Sequence, residues 1–468
     1  MTMHTNSKLA ARNLPFLLLA TLLGCTQTIS PQPNPVQVAP QNSAPPVMQP
    51  PTPASNAGTV TGGGFEQPPV INISEFLPAN IQAGPGYYLG QQVTTNGAMG
   101  QYTIIANADE FGSDAGTYQV ESLDLLKIRL SEIPAIIALD HVSSTGVFAK
   151  EVASSAAKPV ADAAQMVIHP MDTVTGLPSG IGELFGRVQL GADVLYSTAT
   201  NSSEGGEQRA SETAGETANI TLTALGYDQL RRNLARKLHV DPYSSDPILT
   251  KKLNHVAWIM FTAHMMVDTA MSVAVPGSML ITGVQVTDDL IYQTPKADLI
   301  LLVERKLRHI GLSSTEIAAF SHNNAIPLSL QVAAVRDLET LGPIRGRRSA
   351  AVALSNVVTE YQARFLVTSL RMLVQWSQQN SQIARIQVRG VLIGRDQDGT
   401  VIMPAPVDYV SWTPRIAGFA TDPELLGLQN RVLWITGKMT PLARQQLTSN
   451  GWTLREGPLQ GTVIGANL

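Results

Sequence analysis

The 468-residue chain carries 44% hydrophobic, 15% charged and 5% aromatic residues, enough apolar material to fill two or three domains and too much for a chain disordered throughout. Its formal charge of −4 argues against nucleic acid as a partner, because phosphate backbones select basic surfaces. One cysteine excludes an internal disulfide and any cysteine-built metal site, and no cofactor is expected.

In chain order the first feature is a leader. Lys8 and Arg12 precede the apolar run Leu14–Leu22, which ends in Leu22-Leu23-Gly24-Cys25. A basic start, a short apolar stretch and small residues before a cleavage point mark export. The run falls short of the roughly 20 apolar residues that a membrane-spanning helix needs. Residues 1–25, and no others, resemble the leader of bacterial lipoproteins. The resemblance implies that Cys25 is acylated and becomes the first residue of the mature chain, and that the bilayer is a partner through its acyl groups. Each buried methylene would contribute about 0.8 kcal/mol to that anchor. Thr26, where Asp does not follow the cysteine, resembles the outer-membrane pattern. The alternative is an ordinary secretory leader, with Cys25 a free thiol. Either way Lys8 and Arg12 leave with no acid, so the mature balance falls to −6.

From Thr26 to Phe65 the chain is rich in Pro, Gln, Asn, Ser and Gly, has no charged residue and ends in Gly62-Gly63-Gly64. Such a composition cannot offset its ordering entropy and predicts a tether. At about 3.1 Å per residue it reaches on the order of 100 Å. Residues 66–121 then read as short strands and turns, with strands at 87–89, 101–105 and 117–120. Asp109, Glu110 and Asp114 lack the ligand spacing of a calcium loop and read as a solvated acidic loop.

At Ser122 the period changes. Leu126, Leu130, Ile133 and Ile137 predict an amphipathic helix interrupted at Pro134, and a second helix is expected over 148–169. Gly and Pro punctuate 169–182, where Ser179 lacks the Gly-x-Ser-x-Gly elbow of a hydrolase nucleophile. A polar loop over 197–217 precedes a helix with Leu230, Leu234 and Leu238 inside and Arg231, Arg232 and Lys237 on its wet side.

The most apolar mature stretch is Val256–Val286, read as a buried helix from Leu249 to Val275 that ends at Pro276-Gly277. His264, Asp268 and Pro276 within it disfavour a membrane span. On the helical wheel Leu253, Val256, Met260, Val267 and Met271 share a face with His264, while His255 points the opposite way. His264 and Asp268, four residues apart, can touch in an apolar setting. A carboxylate that fixes one imidazole tautomer is half of a hydrolase relay, or the outer support of a metal ligand. It is equally the way a core histidine satisfies its ring.

Ser313 and Glu316 have capping-box spacing, and a helix Leu328–Leu341 stops at Gly342-Pro343. Arg345, Arg347 and Arg348 read as solvated loop charges, with phosphate headgroups as the alternative partner, before the longest helix, 349–379, with Leu354, Val358, Tyr361, Phe365, Met372 and Trp376 as its inner stripe. Ser155-Ala-Ala-Lys158 and Ser321-His322-Asn323 resemble fragments of the penicillin-binding motifs, but no Lys-Thr-Gly follows. Near the C-terminus, 385–393 and 399–403 read as strands around an Asp398-Gly399 hairpin. A strand at 431–437, a helix begun by Thr440-Pro441 and a strand from Trp452 form a βαβ unit, and Gly437 ahead of that helix could receive an anion.

The expected fold is α+β: a mainly helical centre (122–380), a β-rich N-terminal region (66–121) and a small C-terminal α/β unit (381–468). The expected role is that of a non-catalytic envelope lipoprotein that docks envelope proteins or cell-wall material. Two alternatives stand beside it: an exported hydrolase built on His264 and Asp268, and a membrane-active protein that inserts 256–286.

Overall fold

Period-two burial builds the first sheet. A computed structural model describes residues 64–144, 226–262 and 289–457. Its first strands are β1 (Val70–Asn72), β2 (Ala83–Gly84), β3 (Tyr87–Leu89), β4 (Gln92–Thr95), β5 (Gly100–Ala106) and β6 (Gly116–Glu121). All pair antiparallel, with β5 at the hub against β3, β4 and β6. Along β5 the alternation turns Tyr102, Ile104 and Ala106 inward. The three expected strands are present, and the short β1, β2 and β4 join them.

Helix α1 (Leu123–Ser144) covers this sheet and buries Leu126, Leu130 and Ile133, as the period predicts. It is not interrupted at Pro134, which lies inside the helix. Ala135, Ile136 and Leu139 beyond the proline are buried, so packing offsets the hydrogen bond that proline removes. That packing comes from helix α2 (226–237) and helix α3 (Pro247–Thr262), which share one core with α1 through Leu234, Leu238, Leu253, Val256 and Met260. The expected wet side of α2 is a second correction. Arg232 is 4% exposed, donates to the Tyr292 carbonyl at 3.0 Å and pairs with Asp228. Arg231 donates to the Asn254 side chain at 2.7 Å.

The central helices are α4 (Lys296–Ile310), α5 (Ser314–Ser321), α6 (Leu328–Thr340), α7 (Arg347–Ser355) and α8 (Glu360–Gln379). Ser313 and Glu316 form the reciprocal capping box at the start of α5. The expected helix 349–379 is two helices. The β-branched run Val357-Val358-Thr359 disfavours helix, Asn356 folds back onto the Val352 carbonyl, and Thr359 restarts the helix by accepting from the Gln362 N–H. Val358, placed inside by the stripe, is 74% exposed.

The C-terminal sheet contains β7 (Ile383–Val388), β8 (Leu392–Asp396), β9 (Val401–Ala405), β11 (Arg431–Ile435) and β13 (Thr453–Glu456), in the order β13-β11-β9-β8-β7. The short β10 (Tyr409–Val410) and β12 (Lys438–Met439) pair apart from it. The expected strand 385–393 is a hairpin that turns at Gly390, whose φ is 73°. Helices α9 (Pro414–Ala420) and α10 (Pro441–Ser449) lie in successive crossovers, and both crossovers join parallel strands: β9 to β11, then β11 to β13. One face of the sheet meets α8 through Ile383, Ile386, Ile402 and Trp434; the other clusters with Ala417, Ala443 and Leu447. Of the described residues, 53% are helical and 20% are in strands.

Gly346, with φ 89°, lets the start of α7 lie on β7, where an added Cβ would stand 1.8 Å from the Ile386 carbonyl oxygen. Both the backbone conformation and the contact forbid a side chain. Gly346→Ala is therefore expected to lower unfolding free energy by roughly 2–4 kcal/mol in a denaturant titration. A loss below 0.5 kcal/mol would contradict that packing.

Candidate functional site

Cys25, His264 and Asp268 lie outside the described residues, as do Ser155, Lys158 and Ser179. The adjoining part of the wheel is visible in α3, where Leu253, Val256 and Met260 are buried and His255 is exposed. Ser321 sits at the end of α5 with its hydroxyl unpaired, while the Asn323 amide ties the carbonyls of Ser355 and Val357. Asn323 is thus occupied in closing a helix end.

The clearest candidate geometry lies at the start of the described residues. Glu66, which ends the charge-free run 26–65, is 5% exposed. Its N–H donates to the Trp412 carbonyl at 2.8 Å, and its carboxylate accepts from the Trp412 N–H at 2.5 Å and the Thr440 hydroxyl at 2.7 Å. Thr440 caps α10 by accepting from the Ala443 N–H. Next to Gly437, which could receive an anion, the Thr440 hydroxyl meets the protein's own Glu66 carboxylate. Gly437 serves contact instead: an added Cβ would stand 2.1 Å from the Asp408 carbonyl oxygen.

Asp408 makes the second clamp. Its Oδ2 accepts from the N–H groups of Gly100 at 2.9 Å and Leu123 at 3.0 Å and from the Tyr102 hydroxyl at 3.3 Å. Leu123 is the first residue of α1, so the carboxylate meets a helix N-terminus. Backbone bonds flank it: Asp408 and Tyr409 donate to the Ala98 carbonyl, and Ser411 donates to that of Gly97. Burial pushes the Asp408 carboxyl up to about 7, against the pull of its donors and with the nearby Asp124 adding to the rise. An open cleft of about 330 Å³ lies along this seam, lined by residues 65–68, Asn96 and Thr413–Arg415.

A third cluster joins α1, the loop 241–246 and α8. Arg129 pairs with Glu132 at 2.9 Å, Glu360 at 2.7 Å and Asp246 at 3.8 Å, and Arg364 pairs with Glu360 at 2.6 Å. Ser244 donates to Glu132 at 2.5 Å and accepts from the Asp246 N–H at 3.0 Å; Ser245 donates to Glu360. Burial pushes Glu132 up to about 7 despite Arg129. Glu360 is pushed up by burial as well, but Arg364 and Arg129 outweigh this and hold it below the usual range. The hydroxyls face carboxylates that two guanidiniums already engage. This is the pattern of a joint rather than of an activated nucleophile.

Asp114, expected in a solvated acidic loop, reaches Lys252 at 3.3 Å and Lys251 at 3.7 Å on α3. No group of three His, Cys, Asp or Glu residues among the described residues could hold a metal ion. No protein family, curated protein or solved structure matches the chain.

Sequence reasoning passed over Glu66, Arg129 and Asp408, yet each carried a signal. Glu66 ends a charge-free run, Arg129 falls three residues after Leu126 on the apolar stripe, and Asp408 interrupts Val407 and Tyr409. A charge in an apolar pattern asks for a partner.

Two outcomes follow. Because Asp408 binds its proton more tightly folded than unfolded, its contribution to stability is largest below about pH 4 and is lost as pH rises through about 7. Asp408→Asn keeps an oxygen for the donors without the charge. Its melting temperature relative to wild type is expected to climb from pH 5 to pH 8; a flat difference would contradict the assignment. Arg129→Ala leaves Glu132 and Glu360 short of a cation and is expected to cost about 3 kcal/mol or more by chemical denaturation. A cost under 1 kcal/mol would show the joint to be passive.

Proposed function

We propose that this protein is a lipid-anchored lipoprotein of the bacterial cell envelope, held at the outer membrane by acylated Cys25 and acting without catalysis as a scaffold for envelope proteins or cell-wall material. The observation that carries the reading is the chain's sole cysteine standing directly after Leu22-Leu23-Gly24, behind a basic start and a short apolar run. Acyl chains on that sulfur partition into a bilayer, and more than one is needed for a durable hold. The charge-free, proline-rich segment after it sets the working distance, and its far end arrives at the Glu66 clamp. A pull along the tether is therefore received by buried hydrogen bonds to Trp412 and Thr440, and not by a loose strand end.

The finer division of the body follows the same reading: a β-rich region over 66–121 takes the tether, a helical centre over 122–380 offers surface, and an α/β unit closes the chain. No helix among the described residues is long and apolar enough to cross a membrane.

The test is to express Cys25→Ser beside wild type in cells fed a labelled fatty acid and to separate membranes from soluble contents. Wild type is expected to carry label and sediment with membranes, and the variant to lose both. Label retained by the variant, or unlabelled wild type in the cytosol with its leader intact, would overturn the reading.

A further inference from the structure

Between Leu341 and Arg395 the sequence holds eight arginines, no lysine and one acid, Glu360. The fold neutralises four of the eight: Arg348 meets Glu316, Arg364 meets Glu360, Arg371 meets Asp337 and Arg389 meets Glu424. Arg345, Arg347, Arg385 and Arg395 have no carboxylate and no side-chain hydrogen-bond partner among the described residues. For Arg385 this includes a buried Nε–H that donates to nothing.

Three of these four stand in one row. Arg345 forms a parallel bridge with Arg385, and Arg385 in β7 sits directly opposite Arg395 in β8. Residues paired in register project from the same face, with Cβ atoms about 4.5–5.5 Å apart. Neighbouring Ile386 and Asp396 turn toward α8, where Asp396 accepts from the Trp376 ring N–H at 3.0 Å. By alternation the arginine row occupies the other face. There it lies at the β7 edge of the sheet with Arg345 and Arg395 exposed, while Ala417, Ala443 and Leu447 cluster with Met403, Leu433 and Ile435 further in. Beside the row, Gly346 opens α7 with no side-chain cap and no acid in the first turn.

Like charges placed opposite each other across strands destabilise a sheet. A row of three guanidiniums on an acidic protein, with neighbouring arginines already neutralised, is the arrangement of a site whose counter-charge comes from outside. The spacing selects the anion. A carboxylate has two oxygens and one charge, and can bridge two guanidiniums as Glu360 does between Arg129 and Arg364, whereas a phosphate has at least three acceptor oxygens and higher charge, so it can meet all three of a row. We propose that the Arg345–Arg385–Arg395 row binds a multivalent phosphate group, free in solution or presented as a phospholipid headgroup. The proposal does not depend on acylation at Cys25.

The experiment uses the full chain carrying Cys25→Ser, so that no acyl group contributes, at low ionic strength where surface charge is least screened. Tripolyphosphate is titrated calorimetrically, and cosedimentation is measured with phosphatidylglycerol vesicles against phosphatidylcholine vesicles. Arg385→Gln/Arg395→Gln is compared with a control of equal charge loss on exposed positions of α4, Arg305→Gln/Arg308→Gln. Saturable uptake is expected that weakens about tenfold or more in the row variant and stays within twofold in the control. Tripolyphosphate uptake of this kind supports the proposal with a soluble phosphate as source, and uptake confined to phosphatidylglycerol vesicles supports it with the headgroup as source. Absence of saturable binding of either probe to the unaltered row overturns it, whatever the variants do. Equal loss in both variants, or equal uptake of poly-glutamate by the unaltered row, overturns it too. The row variant is expected to melt no lower than the unaltered row in the absence of anion, because its loss relieves repulsion. A lower melting temperature would mean that the arginines stabilise the fold and would also overturn the proposal.

Discussion

Two buried carboxylates hold the beginning of the folded body to its end. Glu66 engages the backbone of Trp412 and the cap of α10, and Asp408 engages the β4–β5 turn, Tyr102 and the start of α1. Each acid fills backbone donors that the secondary structure leaves open, and a buried donor left unfilled is costly. The cost is desolvation, visible in the raised carboxyl of Asp408. Acid and donor lie between 285 and 374 positions apart in the chain, so each clamp closes only when remote segments have come together.

The packing has the same long reach. One apolar core runs from Ile73 to Met260 and a second from Tyr243 to Trp434, so each includes residues from regions that composition alone keeps apart. The Arg129 cluster sits where α1, the 241–246 loop and α8 meet, and supplies ionic contacts along that meeting line. In the proposed reading, the segment that precedes Glu66 is a tether attached to these joined cores, which would suit the proposed scaffold role.

Much of this was legible in the residues. Short β-rich runs between turns marked β3, β5 and β6, the Ser313 capping box marked α5, and Thr440-Pro441 marked the helix of the last βαβ unit. Local rules failed where tertiary packing overruled them: at Pro134, carried inside α1 by burial beyond it, and at Val358, expelled when the chain broke to cap α8 with Thr359. The clamps escaped because a lone Glu or Asp has no period, and its donors are remote in sequence. The arginine row escaped for a related reason. Its three members are 40 and 10 positions apart, and only sheet register brings them together.

Through the two clamps, the first and last parts of the described body open as one unit with the core. Native-state hydrogen exchange at the Gly100, Leu123 and Trp412 amides, the donors to the two acids, tests it most directly. These amides are expected to exchange at the same opening free energy as Leu433 in the buried strand β11, and to lose protection together with it as denaturant is added. Exchange of the three through a local opening several kcal/mol cheaper, with Leu433 still protected, would contradict it.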